Sequence, residues 1–176
     1  MKLEKFTGPL EGVDESVCKK LEALNFEKVT DFVPNTSDIP ETSRLVLLLS
    51  PANHIVENFT NKVIFIPPVQ HEVFLSDLRD SVIACSAQQI RMRRCQNLIL
   101  YNFVKGNVFA EQKCSKIKLY PYLFHATGDE RRELQTSRRH FATFQSLDNP
   151  FNPGACFTVV DESDSSYFKE AERINQ

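Results

Sequence analysis

Four short apolar-rich segments recur at an almost constant spacing, and this period narrows the possible folds more than any other feature of the chain. Phe59-Thr-Asn-Lys-Val-Ile-Phe65, Leu78-Arg-Asp-Ser-Val-Ile-Ala84, Cys95-Gln-Asn-Leu-Ile-Leu-Tyr101 and Cys114-Ser-Lys-Ile-Lys-Leu-Tyr120 start 19, 17 and 19 residues apart. In this register the sixth column is aliphatic throughout (Ile64, Ile83, Leu100, Leu119), and the third reads Asn61, Asp80, Asn97, Lys116. A fixed period in short strands is the mark of a stacked solenoid. Each coil would lie on the last at strand spacing, so one position per coil points inward and must be apolar, while corners favour residues that tolerate a positive φ. Evenly spaced strands of an antiparallel sandwich give the same period, and the columns alone leave both arrangements open.

The same register accounts for cysteine. Cys95 and Cys114 share the column of Phe59 and Leu78, which makes them small buried hydrophobes rather than nucleophiles or ligands. The five cysteines (Cys18, Cys85, Cys95, Cys114, Cys156) contain no C-x-x-C pair, and their odd number does not suit a disulfide framework, so reduced thiols are expected. His54, His71, His125 and His140 show no ligand spacing with one another or with a cysteine, and no metal site is expected.

Outside the periodic segment, Val17, Leu21 and Leu24 form an i, i+4, i+7 stripe after Asp14, Glu15 and Ser16, which predicts an amphipathic helix from about Asp14 to Phe26. The charged run Asp129 to His140, acidic at its start and basic at its end, predicts a short exposed helix. Its arginines Arg131, Arg132, Arg138 and Arg139 are interleaved with Glu130 and Glu133 and read as a solvated face. Asp148 to Gly154, with two prolines and a glycine, must be a loop, and the residues from Ser165 a frayed helix.

Twenty-one basic against 23 acidic residues leave a formal charge of −2, which argues against a wholesale nucleic-acid or acidic-membrane binder. The longest purely apolar stretch, Leu45 to Leu49, is far below the roughly 20 residues that cross a bilayer. Met1-Lys2-Leu3-Glu4 opens no signal peptide, and Lys2 rules out myristoylation at that position, so a cytoplasmic location without membrane insertion is expected. Phosphate-loop, dinucleotide and nucleophile-elbow motifs are absent, and with five glycines the chain is not expected to bind a nucleotide by itself.

The segment richest in chemistry is Cys85-Ser-Ala-Gln-Gln-Ile-Arg-Met-Arg-Arg-Cys95. As a strand it turns Ile90 and Met92 to the core and Gln89, Arg91 and Arg93 to solvent, a wall of amides and guanidinium groups. This run, with Ile99-Leu-Tyr101, Val108-Phe-Ala-Glu111 and Cys114-Ser-Lys-Ile-Lys-Leu-Tyr-Pro-Tyr122, resembles the C-terminal domain of the tubulin-binding cofactor C family, which is shared by the X-linked retinitis pigmentosa protein and, more distantly, by cyclase-associated proteins. The resemblance covers about residues 55 to 125 and centres on Q-Q-x-R with a glutamate 20 residues on.

That resemblance implies a mainly β chain built on a right-handed parallel β-helix, placed over residues 41–125; the residue pattern around it predicts an N-terminal helical or irregular extension over 1–40 and an irregular or helical tail over 126–176 that packs on the β-helix. It implies a GTPase-activating protein that supplies Arg91 in trans as an arginine finger. The partner would be tubulin with other tubulin cofactors, or an ADP-ribosylation-factor-like small GTPase, which would carry the GTP and Mg²⁺. No cofactor of its own and no independent active site are expected, and the implied setting is the cytoskeleton, centrosome or cilium base. The alternative is a non-catalytic module that grips a GTPase or a cytoskeletal monomer, as cyclase-associated relatives bind actin.

Chemistry supports an arginine in that role, because a planar, permanently charged fork of donors can stabilise the charge that develops on phosphoryl oxygens. Such fingers accelerate hydrolysis by about 10³ to 10⁵, roughly 4 to 7 kcal/mol of barrier. Gln88 and Gln89 would contact the partner or position Arg91, and Glu111 would orient the guanidinium. Relatives have one residue between that glutamate and the next Cys-Ser, whereas Gln112 and Lys113 both intervene here. A bulge would leave Glu111 beside Arg91, and a shift before it would put Gln112 in the acid's place. Arg93 and Arg94 either extend a partner-binding patch or are solubilising charges.

Overall fold

The computed structural model describes residues 2–5, 11–23, 45–47, 54–66, 69, 71–104, 106–121, 124–127, 143–147 and 156–159. In chain order the first elements are β1 (Lys2–Lys5), α1 (Glu15–Ala23), β2 (Leu45–Leu47), β3 (His54–Glu57), β4 (Val63–Phe65), β5 (Glu72–Ser76) and β6 (Arg79–Ala87). They continue with β7 (Gln89–Arg93), β8 (Gln96–Val104), β9 (Asn107–Glu111), β10 (Ser115–Pro121), β11 (Phe124–Thr127), β12 (Thr143–Ser146) and β13 (Phe157–Val159). Two sheets share the work. One has the order β13-β10-β8-β6-β4-β2 and the other β12-β9-β7-β5-β3. Every pairing within them is parallel, and from β2 to β10 successive strands alternate between the two sheets, which is a β-solenoid and not a sandwich.

The columns read from the sequence are the columns of the fold. Ile64, Ile83, Leu100 and Leu119 stand in register across β4, β6, β8 and β10, and none is more than 2% exposed. Each such side chain contributes about 1.5–3 kcal/mol by leaving water. From the facing sheet, Val73 and Leu75, Ile90 and Met92, and Val108 and Ala110 fill the same core. Asn61, Asp80, Asn97 and Lys116 sit at the corner with φ of 58°, 49°, 53° and 54°. That left-handed geometry suits Asn and Asp, whose short polar side chains tolerate it, and Asn97 Nδ2 donates to Asp80 Oδ1 at 2.7 Å to link two coils. A second corner repeats the device with Asn58, Asp77, Arg94 and Lys113, the residues just before Phe59, Leu78, Cys95 and Cys114.

The solenoid also outruns its period. The reading from sequence ended it at residue 125, yet β12 pairs with β9 and β13 with β10, adding a rung from what was read as tail. Ile90 pairs with Val108, but Val108 pairs with Phe144, twice as far along the chain, so no constant spacing marks this rung. The expected end of α1, the helix at 129–140, the loop at 148–154 and the frayed helix from 165 lie outside the described residues.

The N-terminal segment covers the outer face of the larger sheet. Val17 and Cys18 are buried, Tyr101 Oη donates to the Glu11 carbonyl at 3.2 Å, and Lys118 Nζ meets Glu11 Oε1 at 2.6 Å. Gly12, at φ +78°, passes so close that a Cβ there would lie 2.6 Å from Ile99 Cδ1. Farther back, β1 pairs antiparallel with β11. No described helix is long and apolar enough to cross a membrane.

Candidate functional site

Among the described residues, the contacts of the N-terminal segment fall on the larger sheet and not on the outer face of the smaller one. Strict alternation in β7 buries Ile90 and Met92 and leaves Gln89, Arg91 and Arg93 half-buried on the outside, as the sequence predicts. Parallel pairing stacks like faces, so Ile55, Phe74, Arg91 and Phe109 form one outward row across β3, β5, β7 and β9, with Gln145 of β12 at the same register position. Glu57, Ser76, Arg93 and Glu111 form the next row, and Glu72 and Gln89 lie in the row before.

The two guanidinium groups lean in opposite directions. Arg91 Cζ lies 5.7 Å from the Phe109 ring centroid on β9, and Arg93 Cζ lies 5.1 Å from that of Phe74 on β5. Each stacking is worth about 0.5–1 kcal/mol at a solvent-accessible site and fixes the direction of a long side chain. Arg91 is 42% exposed, and its Nε lies 3.8 Å from Glu72 Oε1, an ion pair too long to be a hydrogen bond. The Nε atoms of Arg91 and Arg93 are both shielded and make no hydrogen bond.

Glu111 does not meet Arg91 in this arrangement. It stands in register with Arg93, because the step from β7 to β9 matches Arg91 with Phe109 and an acid two residues farther on falls beside the second arginine. The acid paired with Arg91 is Glu72, one coil earlier. Gln112 does not take the acid's place either. The extra residue is absorbed at the corner after β9, where Gln112 and Lys113 both have left-handed φ (52° and 68°) and Gln112 Oε1 accepts from Arg94 Nη1 at 2.7 Å.

Arg94 differs from its neighbours. As the corner residue (φ 51°) it holds Asp77 with two hydrogen bonds, Nε to Oδ1 at 2.7 Å and Nη2 to Oδ2 at 2.8 Å, and Ser76 Oγ donates to the same carboxylate at 2.7 Å. These bonds, Arg94's first and Ser76's second, hold the Asp77 carboxyl well below the usual carboxylate range. This guanidinium clamps one coil to the next.

Gln88 is exposed at the corner between β6 and β7, and its backbone is fixed from both sides. Its N–H donates to the His71 carbonyl at 2.9 Å, and its carbonyl accepts from Gly106 N–H at 2.8 Å. A Cβ on Gly106 would lie 3.0 Å from that carbonyl oxygen. Gln88, Gln89, Arg91 and Arg93 therefore sit on one rigid edge-to-strand unit. The thiols lie elsewhere: Cys85 and Cys95 are buried, with burial pushing up the first and the contact with Cys114, then burial, pushing up the second. Neither is a nucleophile at neutral pH.

Reasoning from sequence missed Glu72, Phe74 and Phe109. The signal was present, since the 17- and 18-residue steps that carry Val73 to Ile90 and Val108 also carry Phe74 to Arg91 and Phe109. Together these residues present a flat outward surface bearing two oriented cations with no phosphate-binding loop of its own. Such a surface can stabilise an anion carried by another molecule. Residues 38–148 match the family model described as tubulin binding cofactor C. No curated protein matches the chain.

Proposed function

The chain belongs to the tubulin binding cofactor C family, and from that premise we propose that it is a GTPase-activating protein whose Arg91 enters the nucleotide pocket of a partner. The family places it in a tubulin-folding-related role. The finer reading names the partner as tubulin with other tubulin cofactors, or an ADP-ribosylation-factor-like small GTPase. GTP and Mg²⁺ would belong to that partner, and the setting would be cytoplasmic, at the cytoskeleton, centrosome or cilium base.

The observation that carries this reading is the presentation of Arg91: outward on a rigid strand, 42% exposed, and free of hydrogen bonds at Nε. An arginine so held pays little to be oriented, and its fork of donors can reach the charge that spreads over the transferring phosphoryl group. Gln88 and Gln89, on the same edge, would contact the partner, and Arg93 would anchor it beside the finger. The test is single-turnover GTP hydrolysis by a panel of tubulin plus cofactors and ADP-ribosylation-factor-like GTPases. Arg91→Ala is expected to lower the stimulated rate by about 10³-fold or more, and Arg91→Lys to be severely impaired. Equal rates for wild type and Arg91→Ala would refute the finger.

A binding module without catalysis is the second reading. It is favoured by Ile55 and Leu147, 61% and 50% exposed, which lie on and next to the two end strands of the same sheet. Partner affinity that survives Arg91→Ala, with no stimulated hydrolysis by the wild type, would select it.

A further inference from the structure

The finger reading leaves open what aims Arg91, and the structure gives an answer that the sequence did not. Arg91 is held from two coils at once. Glu72 approaches Nε from β5 at 3.8 Å, and Phe109 lies 5.7 Å from Cζ on β9. Glu111, the acid that a 20-residue offset selects, is matched instead with Arg93, and Arg93 is drawn the other way, onto Phe74.

Resting on the finger reading, we infer that Glu72, with Phe109 as its counterpart, is the positioning residue of Arg91. A carboxylate on one side and a ring on the other restrict the guanidinium to one arc above the sheet. That restriction lowers the entropy lost when the arginine enters a partner's pocket. The ion pair is half-exposed and long, so it is weak enough for the guanidinium to leave it for a phosphoryl group. Glu72 thus acts through Arg91 and touches no substrate.

The test is ¹⁵N relaxation at Arg91 Nε in the full-length labelled chain, compared among wild type, Glu72→Gln, Phe109→Leu and Glu111→Gln. All three sites are half-buried and outward, and an unchanged amide spectrum elsewhere checks the fold of each variant. Glu72→Gln and Phe109→Leu are expected to lower the Nε order parameter, and Glu111→Gln to leave it as in the wild type. In single-turnover hydrolysis with the GTPase that responds to the wild type, Glu72→Gln is expected to cut the rate at saturating partner by about two- to fivefold, with Kd unchanged.

If Glu111→Gln frees the arginine and Glu72→Gln does not, or if neither does, the inference is overturned. A Glu72→Gln change in Kd with no change in saturated rate also overturns it, because Glu72 would then be a docking contact. Should Glu72→Gln loosen Arg91 while Arg91→Ala leaves hydrolysis untouched, the positioning stands and the finger reading is what fails.

Discussion

The outer faces of the two sheets are built from the same coils and meet opposite fates. On the larger sheet, Phe65, Tyr101 and Tyr120 stand in outward register with Ala84 and are buried, and Glu11 and Gly12 lie against that face at Tyr101, Lys118 and Ile99. On the smaller sheet, Phe74 and Phe109 remain half-exposed and serve as seats for arginines. The strands record the difference. β8, Gln-Asn-Leu-Ile-Leu-Tyr-Asn-Phe-Val, is apolar on both faces, whereas β7, Gln-Ile-Arg-Met-Arg, alternates strictly. A strand covered on both sides reads as a continuous apolar run, and one with a wet face reads with period two. In a solenoid, therefore, the wall whose outward side chains stay partly exposed is the one where function can be placed without cost to the core.

Aromatic truncation gives the sharpest test of this contrast. Tyr101 is 1% exposed, its ring centroid lies 4.9 Å from that of Tyr120, and it bonds to the N-terminal segment. Tyr101→Ala is expected to cost about 3–5 kcal/mol in urea unfolding, against about 1 kcal/mol or less for Phe109→Ala. Similar losses for the two would mean that the faces are not different in kind. Next in size is Gly12→Ala, which must place a Cβ against Ile99 at a positive φ. Its expected cost is about 1–2 kcal/mol, read as a lowered urea midpoint; no loss would show that the segment over the larger sheet gives way freely.

The corners allow a smaller change in the other direction. Lys116 alone in its column lacks the short polar side chain that eases a left-handed backbone. Lys116→Asn is expected to raise stability by about 0.5 kcal/mol, visible as a higher melting temperature. The smallest effect belongs to the arginine wall itself: Arg91→Ala should leave stability within about 0.5 kcal/mol of wild type, however large its effect on a partner. A melting temperature that falls by many degrees would make Arg91 a structural residue.

Much of this was legible in one dimension because a solenoid writes its three-dimensional neighbours into its period. The inward column, the Asn and Asp corner, the alternation of β7 and the packing of Cys95 and Cys114 all follow from a local rule repeated every 17 to 19 residues. Where the rule breaks, the sequence was silent. β12 and β13 join the sheets after long connections, and no spacing could announce them. The 20-residue offset from Arg91 puts Glu111 in register with Arg93, since an offset in the chain is a lateral neighbour only when it equals the local step between strands.

The sequence by itself determined that this chain coils, which residues point inward, where the backbone turns left-handed and which strand carries outward arginines. Those properties depend on side-chain polarity and on φ preferences, which act residue by residue. Only the tertiary structure decided that Glu72 and not Glu111 faces Arg91, that the two arginines lean apart onto Phe109 and Phe74, and that residues 11 and 12 lie against the larger sheet. These depend on ångström-scale register between coils and on contacts made across some ninety residues of chain, which no local pattern encodes.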